Sequence, residues 1–347
     1  MQFPREIIVG NNVLNRVIEV TQRLNFKDTA LIITGKNSYN TAGKQIQELL
    51  KQADIDTHTI FVKSTTTENV TVIEEQITKL KPQILFGIGG GTIIDTTKIT
   101  SCKQNIPFIS IPTTISHDGI ASSIASIKET GNKPCSIITQ APLAVIADTN
   151  IIAQAPWRSI ISGCGDIIAK YTAVKDWKLA HIEKKEYYGE YAANLARMSA
   201  KLVTKNATQI QPENNNGLHI LLEALISCGV SMSIAGSSRP CSGSEHLFSH
   251  ALNIINPNST AMHGEQVGIG TILSAYLHEI NWEQIRDTLK QIGAPTTAKE
   301  IGTKDEDIIK ALKTASTIRP DRYTILHKLQ LDYETCKRVA KETRVID

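Results

Sequence analysis

Through its first 155 residues the chain alternates short β-branched runs with stretches whose apolar residues recur every three or four positions. That alternation limits the fold more than any other feature. Strands that return in one direction through intervening helices build a mostly parallel sheet covered by helices. Strands are predicted at Thr29–Thr34, Thr57–Val62, Ile84–Ile88, Phe108–Pro112 and Ala144–Ala147, with the clearest helices at Tyr39–Ala53 and Val70–Leu80. After Pro156 the strand-like runs stop, and helical patterns take over at Gly165–Lys178, Tyr187–Asn206, Leu218–Ala235 and Gly264–Glu279. The expected organisation is an α/β dinucleotide-binding domain over 1–155 and an all-helical catalytic domain over 156–347. A hydrophobic content of 41% in 347 residues supplies apolar side chains for two cores. A cleft between two such domains is where a cofactor from one and catalytic groups from the other are expected to meet.

Charge and cysteine usage narrow the class of partner. The 37 basic and 34 acidic residues are spread along the chain, for a net charge of +3, so neither a nucleic-acid surface nor an anionic-membrane surface is expected. A small anionic substrate needs only a local basic group. The cysteines Cys102, Cys135, Cys164, Cys228, Cys241 and Cys336 include no Cys-x-x-Cys pair and are expected to be reduced thiols. The segment from Met1 to Gly10 lacks the basic and long apolar regions of an export signal. Leu218–Ala235 is interrupted by His219, Glu223, Ser227 and Gly229, which suits a buried helix better than a membrane span. A soluble, cytoplasmic homo-oligomer is the expectation.

One candidate phosphate site stands out in the first half. From Gln83 the chain runs through an apolar strand into Gly89, Gly90 and Gly91 and then a helical pattern containing Thr92, Ile93, Asp95 and Lys98. Glycines permit a tight turn and close backbone approach, and the following helix N-terminus offers free N–H groups to a pyrophosphate. The spacing is not Gly-x-Gly-x-x-Gly, so this is not the ordinary Rossmann fingerprint. Taken alone, such a cluster is also readable as a simple turn, and Asp95 and Lys98 as helix decoration with at most a supporting role for Asp95. At the end of another strand, Ile111 to Ser123 gathers Thr113, Thr114, Ser116, His117, Asp118 and Ser122 in one loop, where open α/β sheets bind ligands.

The helical half carries a metal-ligating pattern in three segments: Ser162 to Asp166, Ser244 to His250, and Ala261 to Val267. One aspartate and two histidines make a divalent-metal set that leaves a coordination position open, a catalytic rather than a structural arrangement. His246 and His250 are four apart and share a helix face. Individually the plainer readings hold: Asp166 as a helix N-cap, and single histidines as surface or core groups. His181, His219, His278 and His327 lack comparable surroundings and are read as structural.

Together these residues resemble a family. Gly89-Gly90-Gly91 with Asp95, Pro112-Thr113-Thr114, Gly163-x-Gly165-Asp166, the His246/His250 pair and His263-Gly264-Glu265-x-Val267 resemble, in the same order across nearly the whole chain, the motifs of the iron- or zinc-dependent alcohol dehydrogenase and dehydroquinate-synthase-like superfamily. Within it, Ser116-His117-Asp118-Gly119, Ser242 to His246 and Phe248 to Ala251 are most similar to the sn-glycerol-1-phosphate dehydrogenase family. Its members reduce dihydroxyacetone phosphate to the sn-glycerol 1-phosphate backbone of archaeal-type phospholipids.

The resemblance implies that Asp166, His246 and His263 hold one divalent metal ion, usually zinc, and that Asp118, Asp166 and His250 face the substrate. It places Gly89, Gly90, Gly91, Thr92, Ile93, Thr113, Thr114, Ser116 and Ser122 against NAD or NADP. Thr92 departs from the lysine or serine that many relatives carry, which leaves that phosphate contact open. It further implies a metal-assisted reduction of the ketone by NAD(P)H, with His250 in the proton relay. Dehydroquinate synthases usually carry glutamate in place of Asp166, and glycerol dehydrogenases generally space their histidines as His-x-x-His. Glycerol dehydrogenase is the alternative reading, and a non-catalytic metal- or nucleotide-binding protein the remote one. Thr34 to Asn37 follows a strand without an acidic residue for a ribose hydroxyl, and Lys36 suits a 2′-phosphate, so both NADH and NADPH are expected to serve. Arg239 is a candidate contact for the substrate phosphate, the alternative being a solvated arginine.

Overall fold

Six strands, β1 (Glu6–Gly10), β2 (Thr29–Thr34), β3 (Asp56–Phe61), β4 (Ile84–Gly89), β5 (Phe108–Pro112) and β8 (Ala144–Asp148), form one sheet in the order β1-β8-β5-β4-β2-β3. Every pairing in it is parallel. Between β5 and β8, β6 (Ile124–Lys128) and β7 (Pro134–Ile138) pair as an antiparallel ribbon. The computed structural model describes residues 3–128, 134–212 and 214–347; Met1, Gln2 and the Cys135 side chain lie outside them. The chain divides into two compact units, Met1–Trp157 and Arg158–Asp347.

Alternation within the strands explains the layers of the first unit. Successive strand residues point to opposite faces, and both faces are buried, so apolar side chains fill every position of β2 from Ala30 to Ile33. Ala30, Ile32, Phe86 and Ile88 pack against Val17 and Val20 of α1 (Val17–Arg23) and Ile46 and Leu50 of α2 (Lys44–Gln52). Leu31, Ile33, Leu85 and Phe108 pack on the other side against Ile73 and Ile77 of α3 (Thr67–Leu80) and Ile93 of α4 (Gly91–Gln104). Since β3 and β4 flank β2 on opposite sides, the carboxyl ends of β2 and β4 border a topological switch point, where open α/β sheets bind ligands. The expected strand at Thr57–Val62 is shifted by one residue, and β1 and the β6–β7 ribbon were not among the predicted strands.

The second unit is helical: α5 (Trp157–Ile168, entered one residue earlier), α6 (Lys170–Lys184), α7 (Glu190–Lys205), α8 (Asn215–Ala235), α9 (Ser244–Ile255), α10 (His263–Leu277), α11 (Trp282–Ile292), α12 (Asp305–Ile318), α13 (Ile325–Leu329) and α14 (Tyr333–Glu342). By length and composition α8 could cross a membrane, but 61% of its most apolar window is buried within the structure, which fits a core helix. It is capped by the Asn214 side chain at one end and by Gly236, at φ 65°, at the other. The expected single helix Gly165–Lys178 is corrected to two, α5 and α6, with Asp166 inside the last turn of α5 rather than at an N-cap. The reason is tertiary. A Cβ on Gly165 would stand 2.2 Å from the Gly264 carbonyl oxygen, and one on Gly264 1.7 Å from that of Ser162, so α5 carries its glycine where α10 crosses it.

Candidate active site

That crossing sets the spacing of the candidate metal-ligating groups. Asp166 follows Gly165 and His263 precedes Gly264, so the close backbone approach delivers both side chains to one place, and the Gly264 N–H donates to Ser162 Oγ at 3.0 Å. α9 packs against α10 and brings His246. One ligand atom from each of Asp166, His246 and His263 lies within 4.8 Å of the other two. The imidazoles of His246 and His263 are 5.1 Å apart at their centroids, and His250, one turn along α9, stands 6.5 Å from His263.

Buried polar partners fix the orientation of these groups. Glu245, with no exposed surface, accepts from His246 Nδ1 at 2.8 Å, from the Gly243 N–H at 2.6 Å and from Thr172 Oγ1 at 2.7 Å. A carboxylate only accepts, so Nδ1 carries the hydrogen, and this turns Nε2 toward Asp166 Oδ1, 3.4 Å away. Lys170, fully buried, donates to Asp166 Oδ1 at 2.9 Å. Burial pushes the Asp166 carboxyl up, but Lys170, His246 and His263 outweigh it and hold the group well below the ordinary aspartate range. His246 is likewise disfavoured as a cation by burial, yet Asp166 and Glu245 leave it above an ordinary histidine. Burial, His246, Arg319 and Arg322 together push His250 down to about 4, so its ring is neutral at neutral pH.

The ends of the helices are clamped as firmly. Asp176, fully buried, accepts from the Ser244 N–H and hydroxyl at 2.6 and 2.5 Å, from the Ile325 N–H at 2.7 Å and from His278 Nε2 at 2.9 Å. Glu265 accepts from the Met262 N–H at 2.8 Å and takes both arms of Arg158, at 2.5 and 2.6 Å, which fixes the start of α10 beside His263. The histidines read as structural have such roles or are peripheral: His278 on Asp176, His181 against the Glu186 carbonyl, His327 on Thr324, and His219 exposed beside Glu223.

The glycine turn of the first unit is built from backbone. Gly90, which has no side chain to cap with, is the N-cap of α4, and the Ile93 N–H returns to its carbonyl at 3.0 Å. A Cβ on Gly90 would meet Thr114 Cγ2 at 2.7 Å, one on Gly89 the Ile93 side chain at 2.6 Å, and one on Gly91 His117 Nε2 at 1.9 Å. Thr114 Oγ1 is buried with no hydrogen-bond partner among the described residues. An orphaned hydroxyl beside an uncapped helix start fits a phosphate-bearing ligand. Thr113 donates its N–H to the Gly89 carbonyl at 3.1 Å, which ties this loop to the turn. Ser116 precedes His117 in the same loop, and Thr92 turns its carbonyl to Thr65 Oγ1 at 2.9 Å.

Asp95 and Lys98 do not decorate the helix. Lys98 has no exposed surface and donates to Asp95 Oδ1 at 3.2 Å, Ser122 Oγ at 3.1 Å and the Ile124 carbonyl at 2.7 Å, while Asp95 Oδ2 accepts from the Ser126 N–H at 3.1 Å. The pair pins the Ser122 loop and the β6 strand to α4. Asp118 opens a short 3-10 turn, Asp118–Ile120, in this first unit, whereas Asp166 and His250 belong to the second.

Arg239 is neither solvated nor available to a ligand. It is 4% exposed, grips both oxygens of Glu186, at 2.6 Å through Nε, and donates to the Tyr323 carbonyl at 2.9 Å. Sequence reasoning also missed Glu245, Lys170 and Asp176 as organising groups. The signal available was the charge itself: each lies in a segment otherwise patterned for burial.

The family model for iron-containing alcohol dehydrogenases matches residues 8–156. A glycerol-1-phosphate dehydrogenase (NAD(P)+) of Methanosarcina mazei is 51% identical over 347 residues, which covers 100% of this chain and 97% of that protein. One of Pyrococcus furiosus is 51% identical over 346 residues, covering 100% and 99%. Among solved structures, glycerol dehydrogenase of Schizosaccharomyces pombe superposes with a TM-score of 0.82 at 19% identity, over 99% of this chain and 91% of that one. Maleylacetate reductase of Agrobacterium tumefaciens gives 0.77 at 15% identity, over 99% and 97%. At those identities the solved structures speak for a shared fold.

Proposed function

This chain belongs to the glycerol-1-phosphate dehydrogenase family of the iron-containing alcohol dehydrogenases, and we propose that it reduces dihydroxyacetone phosphate to sn-glycerol 1-phosphate with NADH or NADPH. The observation that carries this reading is the identity of about one half, along the full length, to proteins bearing that name. It favours the phosphorylated substrate over the glycerol dehydrogenase alternative, whose structural likeness rests on 19% identity. The product supplies the glycerophosphate backbone of archaeal-type membrane lipids, and the enzyme acts as a soluble cytoplasmic homo-oligomer.

Asp166, His246 and His263 hold one divalent ion, and two imidazoles with one carboxylate suit zinc. Lys170 keeps Asp166 deprotonated for it, and Glu245 fixes the His246 ring through Nδ1 so that Nε2 would face the ion. When bound, the metal supplies Lewis acidity at the ketone oxygen and the nicotinamide supplies the hydride. His250, neutral at neutral pH, donates or accepts a hydrogen bond at the substrate hydroxyl and joins the relay that returns a proton to the new alcohol. Asp118 and Asp166 are the carboxylates that face substrate. Gly89, Gly90, Gly91, Thr92 and Ile93 cradle the cofactor pyrophosphate through the uncapped start of α4, with Thr113, Thr114, Ser116 and Ser122 as polar contacts. Oxidation of NADH and NADPH with dihydroxyacetone phosphate, run beside dihydroxyacetone and repeated after chelation and zinc addition, tests the reading. It predicts preference for the phosphorylated ketone, loss of rate on chelation and recovery with zinc. Activity confined to dihydroxyacetone would move the enzyme to glycerol oxidation instead.

A further inference from the structure

With Arg239 engaged by Glu186, the substrate phosphate needs another partner, and the second unit contains a basic group of unusual construction. α12 packs along α9, the helix of His246 and His250, and ends at Arg319, its C-cap. Three residues on, Arg322 is 6% exposed, and its guanidinium donates to the Ser242 carbonyl at 2.6 Å and to Ser238 Oγ at 2.8 Å, on the loop that leads into α9. Both acceptors are neutral. A buried guanidinium with only neutral acceptors is costly unless something anionic completes its surroundings. Burial, with repulsion from Arg319 and Arg239, pushes Arg322 down to about 9 even though Asp321 and Glu186 favour its charge.

Arg319 differs in being reachable. Its side chain is 36% exposed, and it holds Asp321 through one contact of 3.2 Å to a carboxylate that is itself 71% exposed, a pairing that solvent screens and a stronger anion displaces. Arg322 is anchored to Ser242, and Asp176 accepts from both the Ser244 and the Ile325 N–H groups, so the segment that follows α12 lies against the start of α9, two residues before His246.

We propose that Arg319 and Arg322 form the subsite for the phosphate monoester of the substrate, Arg319 closing on it as a planar fork and Arg322 standing behind as a fixed positive charge anchored to the Ser238–Ser242 loop. This rests on the reading that the substrate is a phosphorylated ketone. Arg239, locked on Glu186, is then a positioning residue whose charge is spent within the fold.

The readout is the ratio of kcat/KM for dihydroxyacetone phosphate to that for dihydroxyacetone, together with competitive inhibition by inorganic phosphate. The Arg319 side chain is partly exposed, so R319A tests the site without emptying a core position. The ratio is expected to fall roughly 10- to 100-fold, the loss typical of one charge-assisted contact, with phosphate inhibition weakened in parallel. R322K, which keeps the buried charge and loses the fork, is expected to lower the ratio less. A wild-type enzyme with no preference for the phosphorylated ketone would overturn the proposed function itself. A wild-type preference that survives R319A with phosphate inhibition intact, or an equal loss on both ketones, would overturn the subsite alone.

Discussion

The glycine turn and the candidate metal centre are built from different parts of the polypeptide. In the first unit the proposed cofactor site is mostly main chain: three glycines, a helix start and one threonine hydroxyl without a partner among the described residues. In the second it is side chain, held by Glu245, Lys170, Asp176 and Glu265, carboxylates and an ammonium taken almost completely out of water. A backbone site is limited by how closely atoms approach and is lost by adding a methyl group. A side-chain site is limited by orientation and protonation, and is lost by removing one buried partner.

The contrast is most exposed to His263→Ala. This should strip the metal and lower kcat/KM on the order of 10³-fold or more, the usual scale of lost Lewis-acid stabilisation, while NADH still binds. Metal analysis and cofactor titration on one sample would read both halves, and loss of NADH binding together with the metal would break the division. Glu245→Gln removes no ligand but leaves His246 Nδ1 and Thr172 Oγ1 without their carboxylate. Zinc affinity in a competition titration should fall roughly 10- to 100-fold, and an unchanged affinity would mean that packing alone orients the ring. Gly90→Ala puts a methyl group 2.7 Å from Thr114 Cγ2. The NADH dissociation constant should rise on the order of tenfold with metal content unchanged, a pattern opposite to the first two. The smallest effect belongs to Lys36→Ala: exposed just beyond β2, Lys36 should matter a few-fold for NADPH and not for NADH, as steady-state KM values would show.

The same contrast governs what could be read from the residues. Thr29–Thr34 and Phe108–Pro112 are strands over the ranges their β-branched runs indicate, because both faces of the sheet are buried and nothing polar interrupts them. β1 escaped notice because its alternation is broken by Glu6 and by a half-exposed Ile7, and its partner β8 lies far along the chain. The glycine turn is visible as a local run, whereas the metal-ligating set depends on three helices meeting. The start of α5 was misplaced because Gly163 and Gly165 look like a loop until α10 is laid across them. Lys170 and Glu245 are marked only as charges in segments otherwise patterned for burial, and the partners that make their burial tolerable, Asp166 for one and Thr172, Gly243 and His246 for the other, emerge only once the helices are packed. Arg239 shows the converse: nearness in sequence to the histidines said nothing about Glu186, which claims it.

Asp176 bears on how this half of the molecule opens as well as on how it is held. Burial raises its carboxyl, but hydrogen bonds from His278 and Ser244 more than compensate and leave it below the ordinary aspartate range. Its contribution to stability is therefore present above the unfolded-state value and is lost as pH falls through the native one. Because one carboxylate closes the first turns of α9 and α13 and also holds His278 at the end of α10, those segments cannot fray one at a time. Their amides should exchange with solvent as a single foldon, at a rate set by the opening of the whole group, and amides near His246 should be as slow as those deep in α8.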